Sequence, residues 1–153
     1  MAFCGAGRTD DARAVIERLE RYVSDGPALP GTNRAVAAEV GLPASRAVLA
    51  HAQGRHDDVV AELFPIRRVF QHFGGSHAQR DVLQRTLAES AIRSGQLDLA
   101  RALLDERLSL RDTRVYGLLG RARVLTKQGA HDGARQAEEA ATAHRQRFNA
   151  AAS

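Results

Sequence analysis

Residues 87–104 run Leu87-Ala88-Glu89-Ser90-Ala91-Ile92-Arg93-Ser94-Gly95-Gln96-Leu97-Asp98-Leu99-Ala100-Arg101-Ala102-Leu103-Leu104. Leu87, Ala88 and Ala91 keep the i, i+3, i+4 spacing of one helical face, and Leu97, Ala100 and Leu104 keep it again after Gly95. A glycine between two such patterns is the residue that ends a helix in the left-handed conformation. The stretch is therefore two helices joined by a tight turn. Small residues at 88, 91 and 100 let the two approach closely, and Leu104 fills the space between them. Just upstream, Gly74-Gly75 supplies a chain reversal, and Ser76 with Gln79 three residues on forms a capping box. The pattern predicts helices over 77–94, with Val82, Leu83, Leu87, Ala88 and Ala91 inward, and over 97–109.

Working outward, every segment is helical. Ala12, Val15, Ile16, Leu19 and Val23 form one apolar face over 10–24, with Thr9 as N-cap and Asp10 and Asp11 at the positive end of the helix dipole. Pro27, Pro30 and Gly31 break the chain. A short helical piece over 34–40 ends at Gly41, and Pro43 opens another over 43–53. A helix over 56–72 carries Pro65, which predicts a kink or break near Phe64. Asp112 or Thr113 caps a helix over 114–128, with Val115, Leu118, Leu119, Ala122 and Leu125 inward. A last helix over 131–148 has Ala134, Ala137, Ala141 and Phe148 as its inward candidates. No stretch shows strand alternation.

The glycines repeat. Gly54, Gly95 and Gly129 each precede a second helix, with Ala61, Ala100 and Ala134 following them, and Gly7 with Ala12 and Ile16 opens the same way. Gly95 and Gly129 are 34 residues apart, the tetratricopeptide period, while Gly54 and Gly95 are 41 apart. The fold expected is all-α: one domain over 1–153, a superhelix of about seven helices in antiparallel hairpins. Degenerate repeats fall near 1–26, 34–73, 77–110 and 113–148. The first repeat lacks its first helix, of which Met1–Ala6 would be a stub. That edge asks for a cover, either more of a longer chain or a second copy in a homodimer.

The string Gly74-Gly75-Ser76-His77-Ala78-Gln79-Arg80-Asp81-Val82, with Ala91, Gly95, Ala100, Leu104, Glu106 and Arg107 after it, resembles the C-terminal region of the tetratricopeptide-repeat protein 38 family. So does Asn33-Arg34-Ala35-Val36 with Glu39-Val40-Gly41-Leu42-Pro43. The resemblance covers about 30–112. It implies a helical-repeat scaffold without a catalytic activity, and further repeats N-terminal to this region.

Composition narrows the function. At 44% hydrophobic and 26% charged, the 153-residue chain is globular, neither disordered nor collagen-like. A single cysteine, Cys4, rules out an intrachain disulfide and a thiolate metal cluster. Charges within 1–25 exclude a signal-peptide core, and no apolar run approaches the roughly 20 residues of a membrane span, so no membrane partner and a cytoplasmic location are expected. Net charge is +4, and residues 107–153 hold nine basic and four acidic groups.

Three sets of candidates follow. His77, Arg80 and Asp81 share a face at a helix N-terminus, where Arg80 and free N–H groups suit a small anion; this is the enzyme-like alternative. Their other reading is a local capping and ion-pair network. On a concave repeat surface the outward positions are Ala44, Val48 and His51, then Arg85, Glu89 and Arg93, then Tyr116, Leu119, Arg123 and Lys127. Four of these ten are Arg or Lys, which suits a protein or peptide partner of acidic character. His51 with His56 and His72 with His77 straddle helix breaks, so no metal site and no cofactor is expected. Nucleic acid is disfavoured, because the basic residues lack interleaved aromatic rings. The leading expectation is a non-enzymatic interaction or scaffolding module.

Overall fold

The computed structural model describes residues 1–27, 29, 32–74, 76–110 and 114–151. Among them it is all-helical, with no strand. The helices are α1 (Ala2–Gly5), α2 (Thr9–Ser24), α3 (Asn33–Val36), α4 (Leu42–Ala52), α5 (His56–Ile66), α6 (His77–Arg93), α7 (Leu97–Leu110), α8 (Arg114–Lys127) and α9 (His131–Ala151). The chain divides into two compact units, Met1–Ser90 and Ala91–Ser153, with the boundary inside α6.

One backbone turn recurs through both units. Gly7, Gly54, Gly95 and Gly129 all have φ between 72° and 79°. At Gly7, Gly54 and Gly129 the following N–H reaches back five residues: Arg8 to the Phe3 carbonyl, Arg55 to Ala50, Ala130 to Leu125. The next helix then opens with Ala12 bonding Arg8, Val59 bonding Arg55, Ala100 bonding Gln96 and Ala134 bonding Ala130. The side chain five residues beyond each glycine is buried: Ala12, Val59, Ala100 and Ala134. After Gly54 the buried position is thus Val59. Ala61, two residues on, is exposed, which corrects its expected place in the repeat.

Within Met1–Ser90, α2 packs on α4 and α4 on α5, while α1 touches both α2 and α4. Ala12, Ile16, Leu42 and Leu49 form a core cluster, with Phe3, Cys4 and Leu19 packed against it. Arg46 on α4 donates from Nη2 to Glu20 Oε1 on α2 at 2.7 Å. The separate helices expected over 34–40 and 43–53 are one rod. Thr32 caps it by accepting the Ala35 N–H at 3.2 Å, and α3 runs into α4 through a π-helical turn over Ala37–Gly41. Pro43 explains the turn: it lacks an N–H, and its ring would press on the carbonyl four residues back in a regular α-helix. A wider turn relieves that pressure without stopping the helix. Pro65 acts as expected, since α5 ends one residue beyond it. A 3-10 turn over Phe70–Phe73 follows, and His72 Nδ1 there meets Glu39 Oε2 on the π turn at 3.0 Å. Thr9 is the first helical residue of α2 and caps nothing; Asp10 and Asp11 pair with Arg13 and Arg8.

Within Ala91–Ser153, α7 packs on α8 and α8 on α9. Its buried residues include Ala91, Ile92, Ala100, Leu104, Ala122, Val124, Ala134, Ala137 and Ala141. Helices α7 and α8 meet through two glycines, Gly117 facing Leu108 and Gly120 facing Leu104. Phe148, expected inward, is 71% exposed. It lies seven residues beyond Ala141, past the part of α9 that buries its alanines. Val15 and Val82 are likewise exposed, against expectation. The caps expected at Asp112 or Thr113, and the residues Gly75, Pro30 and Gly31 of two expected breaks, lie outside the described residues.

Candidate functional site

The trio at the start of α6 is built by its capping box. Gln79 Oε1 accepts the Ser76 N–H at 2.8 Å, and Ser76 Oγ accepts the Gln79 N–H at 3.3 Å. Arg80 Nη2 then donates to His77 Nδ1 at 3.0 Å. Asp81, only 14% exposed, pairs with Arg85 Nε at 2.7 Å one turn on. Arg80 thus pairs with His77, and Arg85 with Asp81, along a single helix, and the box has already taken the Gln79 N–H.

A second cluster forms across the helix break that separates His51 from His56. His51 lies in the last turn of α4 and His56 opens α5, and the Gly54 turn brings their rings to 5.4 Å between centroids, edge to face. His51 Nδ1 lies 3.2 Å from Ser90 Oγ on α6, and Ser90 is fully buried. The contact ties α4 to α6. The Ser90 hydroxyl has no solvent access and sits within the packing of its unit. Among the described residues, no group of three or more His, Cys, Asp or Glu side chains is placed to hold a metal ion.

The positions expected on a concave face differ between the two units. In Met1–Ser90, Ala44 and Val48 line an open cavity of about 310 Å³. Phe3 and Cys4 of α1, Val15 and Ile16 of α2, and Val82 and Leu83 of α6 complete a lining that is mostly apolar. Met1, Val15 and Val82 are among the large apolar side chains that remain exposed, and all three border this cavity. The groove is therefore apolar at α4, where no charge had been expected, and His51 does not line it.

In Ala91–Ser153 the candidates gather on α8. Gly117, Gly120 and Val124 are one buried stripe, and Ala122 with the half-buried Leu118 and Leu125 is another. Tyr116, Leu119, Arg123 and Lys127 follow i, i+3, i+7 and i+11 on the remaining face. Leu119 is 38% exposed, and Arg123 and Lys127 are exposed. Leu119 thus takes the outward role expected for it and not the inward one. Behind this stripe, the Arg107 guanidinium of α7 lies 5.4 Å over the Tyr116 ring and is 8% exposed. In the sequence Arg107 belongs to the string that carries the repeat resemblance, but nothing in its spacing marks it as buried. The remaining candidates, Glu89 in the first unit and Arg93 in the second, lie on α6, and both make contacts of their own. No helix among the described residues is long and apolar enough to cross a membrane.

No family model matches this chain, and no solved structure matches it.

Proposed function

We propose that the chain is a helical-repeat interaction module of tetratricopeptide-like type, a non-enzymatic scaffold of the cytoplasm that binds a protein or peptide on the faces its hairpins leave open. The observation that carries this reading is the apolar groove of the first unit. Met1, Val15 and Val82 stay exposed around a cavity of about 310 Å³, where a protein with no use for the surface would place polar side chains. The recurring glycine turn and the 34-residue spacing of Gly95 and Gly129 support the repeat assignment, and the sequence resemblance points the same way. The alternative of an anion-handling enzyme at His77, Arg80 and Asp81 has no observation of its own, because that trio is engaged along its own helix.

A peptide-library selection against the whole chain tests the reading. Binders are expected, and Val82→Glu is expected to abolish the groove-directed ones while leaving the circular dichroism spectrum unchanged. Failure to select any peptide above a scrambled control would remove the proposal.

A further inference from the structure

We infer that the open face of α8 docks an acidic peptide segment of a partner protein, one that presents an apolar side chain flanked by carboxylates. The inference rests on the interaction-module reading and names the chemistry of one of its surfaces.

Charge carries the argument. Residues 1–90 hold eleven basic and eleven acidic side chains, whereas residues 91–153 hold eleven basic and seven acidic. The whole net charge of +4 therefore belongs to the second unit. Within it, α8 reads Arg-Val-Tyr-Gly-Leu-Leu-Gly-Arg-Ala-Arg-Val-Leu-Thr-Lys, with four cations and no acidic residue. Arg121 leans toward Asp105 of α7 at 3.8 Å, and that carboxylate is shared with Arg101 at the same distance. Arg123 and Lys127 stand one turn apart, both exposed, on the face turned away from the buried stripes, and Arg123 also makes a contact of its own.

Shape adds to charge. Leu119 lies one turn before Arg123, so an apolar contact sits beside two cations. Tyr116 extends the stripe by another turn, and the Arg107 guanidinium against its ring adds positive potential behind it. A carboxylate-bearing peptide fits this order of an aromatic, an aliphatic and two cations. Nucleic acid fits it less well. Tyr116 is the only aromatic ring on α8 and already carries Arg107 on its ring, so no stacking platform is free for bases. Two exposed cations also neutralise few phosphates.

The test uses the full chain and fluorescence anisotropy with three labelled decapeptides built around a central leucine: one rich in Glu, one with Gln in place of Glu, and one with Lys. A single-stranded oligonucleotide of similar length is the fourth probe. The acidic peptide is expected to bind at least tenfold more tightly than the neutral one, and its affinity should fall steeply with added salt. The double variant Arg123→Glu with Lys127→Glu should weaken it by roughly tenfold or more, and Arg123→Gln with Lys127→Gln by less, with unchanged thermal melts. Equal binding of the neutral or basic peptide, tighter binding of the oligonucleotide, or indifference to the double variant would each overturn the inference. Those outcomes leave library-selected binders elsewhere intact. Absence of every peptide binder would instead end the module reading itself.

Discussion

Leu104 occupies the space that a side chain on Gly120 would need: a Cβ built there would stand 2.8 Å from one methyl carbon of Leu104 and 3.1 Å from the other. Helices α7 and α8 are close because position 120 has no side chain. Leu104 is fully buried and has nowhere to swing. Gly120→Ala is expected to destabilise the fold by about 1–2 kcal/mol, since overpacking outweighs the helix propensity that alanine adds. At Gly117 the clash is with Leu108, at 2.6 Å, but Leu108 is only half-buried and can turn outward, so Gly117→Ala should cost less. Urea unfolding of both variants checks the order.

Gly133 offers the opposite case. A Cβ there would meet Leu125 at 3.4 Å, an ordinary contact, and its backbone is helical. Gly133→Ala is expected to stabilise by about 0.5–1 kcal/mol through helix propensity alone. A lowered midpoint in the same unfolding experiment would show that α8 and α9 are closer than the structure has them.

At Gly95 the constraint is torsional. Its φ of 79° is strained for any residue with a Cβ, yet no atom lies within 4 Å of the place a Cβ would occupy. Gly95→Ala should therefore cost about 1 kcal/mol, and Gly95→Asn noticeably less, because asparagine tolerates the left-handed region. Equal losses for the two variants would point to crowding instead.

Ser76→Ala removes the acceptor for the Gln79 N–H while leaving the Gln79 side chain on the Ser76 N–H. The expected cost is about 0.5–1 kcal/mol, with faster amide exchange confined to the first turn of α6. Exchange that speeds up along all of α6 would contradict a purely local cap.

Ser90→Ala deletes the buried hydroxyl that His51 Nδ1 faces at 3.2 Å. A loss of about 1 kcal/mol is expected by equilibrium unfolding, the ordinary net worth of one hydrogen bond. A gain in stability would mean that the hydroxyl is a burden on the core and not a tie between α4 and α6.

Much of the fold is legible in the residues themselves, for stated physical reasons. Helix ends marked by local chemistry come out within a residue or two: Ser76 before α6 with Gln79 in its first turn, Gly95 before α7, Gly129 before α9. Where a signal needs tertiary context it misleads. Pro43 looks like a helix start in sequence, but a π turn absorbs it inside a longer rod. Val82 and Phe148 keep helical spacing with buried neighbours and are still exposed, because periodicity says which residues share a face and not how far a neighbouring helix covers it. Gly117 and Gly120 are invisible as packing residues, since a missing side chain leaves no apolar mark. The candidate site is half legible. The α8 stripe follows from spacing, whereas the groove depends on Phe3, Cys4, Val15 and Val82 coming from three helices, and the meeting of His51 with His56 depends on the conformation of Gly54.

The glycines at 7, 54, 95 and 129 share one more property: none has an atom within 4 Å of where its side chain would be. Each bend is thus specified by torsion alone and is independent of whatever the flanking helices press against. Such a joint is portable. Lengths between bends of 47, 41 and 34 residues can diverge by insertion or deletion without any bend being redesigned. A chain copied from a shared ancestral hairpin would drift in this way, with its sequence likeness eroding while its corners stay fixed.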